Sequence, residues 1–285
     1  GYFPNVTHAP AIVADSRGFL AAALGEEVDL QVQYFNAGPD VIQAMFAEGL
    51  DASFIGPNPA INGFAQSEGE AIRIIAGSTS GGAFLVVRPG IETPQDLAGA
   101  TIATPQLGNT QDVALRAWLI EQGFSSDTAG GGDVSIRPQS NADTLNAFRS
   151  GTIDGAWVPE PWATRLILEG GGHVLVDERD LWPGGRYVTT HLIVRTAFLE
   201  QNPGLVEAFL EGYLEGLRFV QDNPDRAMAI TNDGIEAITG ARLAEETIAG
   251  AWQNLTFTWD PIASSLQESA DDAVAVGLLE PVDLS

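Results

Sequence analysis

The chain contains no cysteine and no lysine among its 285 residues. The first absence excludes disulfides, thiolate metal sites and cysteine nucleophiles, and leaves the redox compartment open. The second excludes a P-loop, which needs a lysine on the phosphates. Histidine is scarce: His8, His173 and His191 stand alone, with no i, i+4 pair to hold zinc. No apolar run approaches the roughly 18 residues that span a bilayer. Positive charge is thin as well, with 13 arginines against 38 acidic residues and a formal charge of −25. Such a surface repels nucleic acid and anionic lipid, which both bind basic patches. It suits high-salt or alkaline surroundings; cation binding is the other reading, without a clustered motif behind it.

What is present describes a folded, globular chain. A hydrophobic fraction of 45%, six Trp and thirteen Phe are enough for one large domain or two linked lobes. Gly1 opens directly inside a strand-like segment. That start reads as a chain cut back to its folded part, with a secretion signal or lipid anchor lying outside it.

Four times a short apolar run stops at small, polar and proline residues and restarts as a helix. The junctions are Gly1–His8, Phe54–Ala60, Ala103–Gln111 and Trp157–Trp162. Helix N-termini carry unpaired N–H groups and a partial positive charge, so each junction suits an anion or a polar ligand head. None supplies a nucleophile with a base beside it. The pattern points to holding a small molecule without transforming it.

The first 190 residues contain an echo. Asp51–Ile55 is answered by Asp154–Val158, each followed by Pro-x-Pro, and Asn36-Ala37 before one apolar helix pattern is answered by Asn141-Ala142 before another. An offset near 100 residues is too long for a solenoid and fits two α/β lobes of one plan. Val28–Tyr34, Ala52–Ile55, Ile72–Ala76 and Phe84–Val87 read as buried strands of a parallel sheet in the first lobe. Pro39–Glu48 and Ala60–Gln66 read as its helices. A second lobe from Arg88 carries a capped helix at Thr93–Leu97, strands at Thr101–Thr104, Val134–Arg137 and Val174–Val176, and a helix at Thr110–Gln122 with Thr110 as N-cap. Strand Thr190–Val194 and helices at Pro203–Gln221, Pro224–Thr231, Leu243–Asn254 and Ser264–Val276 return to the first lobe. This gives lobe 1 as residues 1–87 and 188–285, lobe 2 as 88–187, and hinge crossings near Val87 and Val188.

Candidate chemistry is sparse. Gly77–Gly81 has the outline of a nucleophile elbow, but Thr79 stands where that motif needs serine. Its hydroxyls and glycines read equally well as a binding loop or a polar turn. Glu160 and Trp162 sit between prolines after an apolar strand; Glu160 suits a ligand hydrogen bond or simply the first turn of a helix, and Trp162 a pocket wall. With no paired carboxylate, acid–base catalysis lacks support. His8 and His191 read as structural histidines, His173 as solvated, and Trp118, Trp252 and Trp259 as core or lobe-packing residues.

Three segments in order, Gly1–Pro10, Phe54–Ala60 and Thr104–Gln111, resemble the extracytoplasmic solute-binding proteins of ABC importers. Asp96–Gly99, Gly151–Gly155 and Glu160–Trp162 add to the likeness, which covers nearly the whole chain. The subgroup is that for aliphatic sulfonates, taurine and nitrate, and the aliphatic-sulfonate binders are most similar. The resemblance implies an α/β periplasmic-binding-protein-like fold of type II, with a ligand cleft between two lobes. By position it implies a cleft lined by Asn5, Thr7, His8, Asn58, Ser78, Thr79, Ser80, Gly81, Gln106, Gly108, Asn109, Thr110, Glu160, Trp162, Thr190 and His191. It implies a monomer outside the cytoplasm, periplasmic or lipid-anchored, that delivers a small anion to a membrane permease, with no cofactor, no metal and no catalytic residue. The missing lysine departs from relatives that use one on oxyanions. A compact anionic head with a short tail against Phe3, Phe84 and Trp162 describes an aliphatic sulfonate better than nitrate or a pyrimidine. The alternative is an enzyme on this scaffold, a pyrimidine-precursor synthase or a periplasmic lyase, with His8, Glu160 or His191 as base.

Overall fold

The computed structural model describes residues 1–284. A 3-10 turn at Val6–His8 runs into α1 (Ala9–Ser16) and α2 (Phe19–Leu24). Then come α3 (Gly38–Phe46), β1 (Ala52–Ile55), α4 (Pro57–Gln66) and the long β2 (Ile72–Gly81). The middle of the chain holds β3 (Ala83–Val87), β4 (Thr101–Thr104), α5 (Thr110–Glu121), β5 (Ser135–Pro138), α6 (Asn141–Arg149), β6 (Gly155–Pro159), α7 (Trp162–Leu168) and β7 (His173–Asp177). The last part holds β8 (Val188–Arg195), α8 (Thr196–Gln201), α9 (Pro203–Asp222), α10 (Pro224–Thr239), α11 (Glu245–Gln253), β9 (Leu255–Phe257) and α12 (Ala263–Ala275).

The strands form two sheets, ordered β1-β8-β2-β9 and β5-β4-β6-β3-β7. Each has its own apolar core. Ile12, Phe54, Tyr213 and Leu217 pack on one side of the first sheet, and Val41, Met45, Ile55 and Ile72 on the other. Leu97, Ile102, Leu115 and Trp157 pack on the second, with Phe84, Phe148, Val158 and Leu166 on its opposite face. Trp118 joins this core as expected, and Trp252 packs on Phe257. Trp259 does not: at 64% exposure it lies in the turn after β9, beyond the apolar helix pattern.

The returning strand shapes the first sheet. β8 lies between β1 and β2 and runs antiparallel to both, pairing Ala52 with Val194 and Ile72 with Arg195. A sheet with that middle strand is antiparallel, which corrects the parallel arrangement expected for β1 and β2. Among the described strands, parallel pairing is confined to β4 with β5 and β6. The segment Val28–Tyr34 is extended but joins no sheet; only Tyr34 forms a bridge, to Tyr2. Its alternation has another cause, since Leu30 and Val32 turn onto the first core while Asp29, Gln31 and Gln33 face solvent. Phe84–Val87 belongs to the second sheet, pairing with β6 and β7. The chain therefore crosses between sheets at Gly81–Gly82, earlier than the expected Val87.

Both crossing glycines have left-handed φ, +78° and +75°. A Cβ on Gly82 would also force the Leu255 side chain to move, and one on Gly81 would press on the Asn254 carbonyl, so both positions favour glycine. The second crossing runs from β7 through 3-10 turns at Glu178–Leu181 and Pro183–Gly185 into β8. The hydroxyl of Thr189 donates to the Gly81 carbonyl at 2.5 Å and ties the two crossings together. Near the C-terminus, α12 packs against α4 on one side and α5 on the other.

Candidate functional site

The four junctions converge. A small cavity of about 30 Å³ between the sheets is lined by Phe3, Asn5, Thr7 and His8 from the first, Gly56 from the second, Asn109, Thr110 and Gln111 from the third, and Pro159 from the fourth. Asn36 before α3, Asn141 opening α6, and Thr189 and Thr190 of β8 complete it. At this size it admits about two water molecules or one compact oxyanion head.

Local sequence explains the convergence. Gly56 heads α4, and the two sides meet closely because a Cβ there would strike the Thr110 hydroxyl. The start of α5 is held from behind by a buried ion pair. Asp112, fully buried, accepts from Arg116 Nε at 2.9 Å, from the Thr104 hydroxyl at 2.7 Å and from the Gly108 N–H at 3.1 Å. Arg116 also donates to the Asp127 carbonyl at 2.5 Å. The helix N-cap is Asn109, one residue before the expected Thr110. Its capping side chain turns to Gln111 Oε1 at 3.3 Å, leaving first-turn N–H groups at the cavity.

No acidic residue, and no arginine, lines this cavity. The one titratable group, His8, packs on Phe3 with ring centroids 4.4 Å apart and planes tilted by 30°. Burial pushes its pKa down to about 3, so it stays neutral at working pH. Its Nδ1 accepts from the Phe3 N–H at 3.4 Å, which assigns the ring proton to Nε2. Two lining atoms are buried without any hydrogen-bond partner, Thr110 Oγ1 and Asn141 Oδ1. Buried polar groups are seldom left in that condition, so both invite a bound group. The amide of Asn141 offers an acceptor or, turned over, a donor.

Of the residues expected around a cleft, Asn5, Thr7, His8, Asn109, Thr110 and Thr190 meet here. Others are committed elsewhere. Asn58 donates to the Ser269 carbonyl at 2.9 Å and joins α4 to α12. Thr79 donates to the Thr7 carbonyl at 2.6 Å, so it positions the first junction from outside the cavity, while Thr190, in the lining, makes the same contact at 3.2 Å. Ser78, Ser80 and Gly81 are buried strand and crossing residues away from the lining. Gly108 serves the Asp112 network, and Gln106, outside the lining, donates to Asp40 at 3.4 Å. Glu160 is fully buried and turned away. It accepts from the Thr164 hydroxyl at 2.8 Å and N–H at 3.1 Å and from Asn254 at 2.6 Å, and burial raises its pKa. His191 belongs to β8 and holds Nε2 at 2.9 Å from the Pro261 carbonyl, and burial pushes its pKa down to about 4. Phe84 lies in the second core, not along the cleft. His173, expected to be solvated, contacts the Ile91 carbonyl at 3.0 Å.

Asn36, Gly56, Gln111, Asn141, Pro159 and Thr189 line the cavity as well, outside the expected set. A signal was available for two: Asn36 and Asn141 are the matched positions of the internal echo.

A chamber of about 420 Å³ adjoins the small cavity and shares Asn5, Asn36 and Asn141 with it. Its walls include Phe35, Pro161, Trp162, Ile235 and Leu243, with Arg165 and Arg242 also present. Arg165 lies 4.8 Å from the Trp162 ring centroid and is paired with Glu169 at 2.6 Å. Trp162 Nε1 donates to Asn5 Oδ1 at 3.0 Å. Another space of about 280 Å³, under residues 28–33, is walled mainly by leucine, valine and phenylalanine and sits apart from this pair. The paired spaces offer neutral donors and helix N-termini at one end and an aromatic wall at the other. The one carboxylate that lines them, Glu169, is paired with Arg165 at 2.6 Å, and the one lining histidine is the buried His8.

Residues 1–232 match the NMT1-like family. The taurine-binding periplasmic protein of Escherichia coli K12 is 28% identical over 220 residues, which span 76% of this chain and 64% of that protein. The alkanesulfonate-binding protein SsuA from Xanthomonas axonopodis pv. citri, solved with MOPS bound, superposes with a TM-score of 0.80 at 20% identity, covering 99% of this chain and 93% of its own. The periplasmic nitrate-binding protein NrtA from Synechocystis PCC 6803 gives 0.76 at 17% identity, covering 98% and 81%. The chain shares its fold with both solved proteins.

Proposed function

Because this chain belongs to the NMT1-like family, we propose that it is the solute-binding component of an ABC importer, working outside the cytoplasm. It captures a small anion between its two sheets and hands it to a membrane permease. The observation that carries this reading is the convergence of all four junctions on one cavity with two unpartnered polar atoms, Thr110 Oγ1 and Asn141 Oδ1. With no lysine and no lining arginine, the anion is held by N–H groups, hydroxyls, amides and neutral His8. The names of its relatives, taurine-, sulfonate- and nitrate-binding, describe the same kind of cargo.

Among these anions an aliphatic sulfonate is favoured. Its head is ionised at any working pH, and its tail has a place in the chamber beside Phe35 and Trp162. Nitrate leaves that wall unused. The protein acts as a monomer that opens and closes about the two crossings, with residues 1–81 and 188–284 moving against 83–177. Small-angle scattering tests both parts of the proposal. A smaller radius of gyration in saturating propanesulfonate is expected, while an unchanged radius contradicts it.

A further inference from the structure

Away from the paired chambers, a cavity of about 160 Å³ opens between α5, α12 and the Glu178–Leu181 turn of the second crossing. Its lining is unlike the rest of the molecule. Four carboxylates, Glu121, Glu178, Glu268 and Asp272, stand around two indoles, Trp118 and Trp182, and no arginine or histidine lines it.

The carboxylates are graded by depth. Glu121 and Glu268 are exposed, Asp272 is half-buried and Glu178 is 1% exposed at the inner end. Glu178 Oε2 accepts from Trp157 Nε1 at 2.7 Å, and the Trp182 indole N–H also favours the carboxylate, yet Oε1 has no hydrogen-bond partner of good geometry. A buried carboxylate oxygen so poorly satisfied is a costly arrangement that a bound cation relieves. Trp182 is held rigid by stacking on Tyr187, 5.3 Å between centroids and 10° between planes. Trp118 is fixed by Trp157 at 5.9 Å.

We propose that this cavity is a second ligand site, one that takes an organic ammonium ion about the size of tetramethylammonium. The chemistry selects that class. Carboxylates supply the charge, and indoles give a weakly hydrated cation a surface that a metal ion does not use. Among the described residues no group of three or more Asp, Glu or His side chains comes together to hold a metal. The groups facing Glu178 are Asp177, Tyr187 and Asp272, and those facing Asp272 are Glu121, Glu268 and Asp271. Every one is acidic or neutral. Burial and this crowding push Glu178 up to about 7 and Asp272 up to about 6. A cation favours their ionised forms, so binding releases protons and tightens as pH rises from 6 to 8.

The site joins the second crossing to α12, so its occupant bears on the hinge without touching the anion cavity. This inference does not depend on the identity of the anion.

The test titrates the intact chain with tetramethylammonium chloride, against sodium chloride at equal ionic strength, by tryptophan fluorescence and calorimetry. Saturable 1:1 binding is expected, at least about tenfold tighter at pH 8 than at pH 6. Glu178→Gln should weaken it about tenfold or more, and the rim variant Glu268→Gln by about two- to threefold. Glu200→Gln, on exposed α8, should leave it unchanged. If Glu178→Gln does not fold, the rim variant and the pH dependence still decide. A response identical to that of sodium chloride, saturable binding of calcium in preference to tetramethylammonium, or binding indifferent to both variants overturns the proposal.

Discussion

The indole Nε1 of Trp162 donates to Asn5 Oδ1 at 3.0 Å. The bond runs from the first residue of α7, on the second sheet, to the turn that precedes α1 on the first. Both residues line the larger chamber, and Asn5 also lines the small cavity. The bond thus ties the wall of the chamber to the approach of the two sides. Trp162→Phe keeps the aromatic wall and removes the donor. Propanesulfonate should bind about 1 kcal/mol more weakly, with the loss appearing as faster dissociation in a stopped-flow displacement experiment.

Thr110 separates affinity from stability. Its hydroxyl is buried with no partner, so Thr110→Val removes an unsatisfied polar group and keeps the volume. The free protein should be as stable or more stable by thermal melting, while affinity for the anion falls by about 1–3 kcal/mol.

Thr79 behaves in the opposite way. Its hydroxyl donates to the Thr7 carbonyl, so Thr79→Val should lower the melting temperature, a loss of about 1–2 kcal/mol. Its effect on affinity comes only through displacement of the first junction.

The Asp112–Arg116 pair carries the start of α5. Both side chains are essentially excluded from solvent, at 0% and 1% exposure. Asp112→Ala leaves a buried guanidinium unpaired and should cost about 3–5 kcal/mol in urea denaturation. The double replacement Asp112→Leu with Arg116→Met should recover much of that loss.

Glu178 sets a pH dependence of known sign. Its folded-state pKa, pushed up to about 7 by burial and by Asp272 and Asp177, exceeds its ordinary value of 4.5. The folded state therefore holds the proton more tightly than the unfolded chain. This contribution is complete below about pH 4.5 and lost as pH rises through about 7. Glu178→Gln should stabilise the free protein by about 2–3 kcal/mol at pH 8 relative to the wild type and leave it little changed at pH 4.5.

The legible part of this molecule is what local chemistry determines. Pro57, Pro203 and Pro224 stand in the first turns of helices, and the capping box of Thr93 with Asp96 is written in adjacent residues. The four junctions were legible for the same reason. Partners distant in sequence were not. Glu160 carries the same signal whether it faces a ligand or Asn254, 94 residues away, and Thr79 the same whether it faces a ligand or Thr7. Strand allegiance failed likewise at Phe84–Val87, because an apolar run does not state which sheet it joins. The Asp112–Arg116 spacing of four on one helix was the overlooked local sign that the α5 junction is braced from behind.

Calorimetric titration of the wild-type chain with propanesulfonate, and separately with nitrate, tests the central claim most directly. The account predicts one propanesulfonate per chain at micromolar or better affinity, about −8 kcal/mol, with nitrate weaker by an order of magnitude or more. No heat with propanesulfonate at any concentration up to the millimolar range, or tighter binding of nitrate, contradicts it.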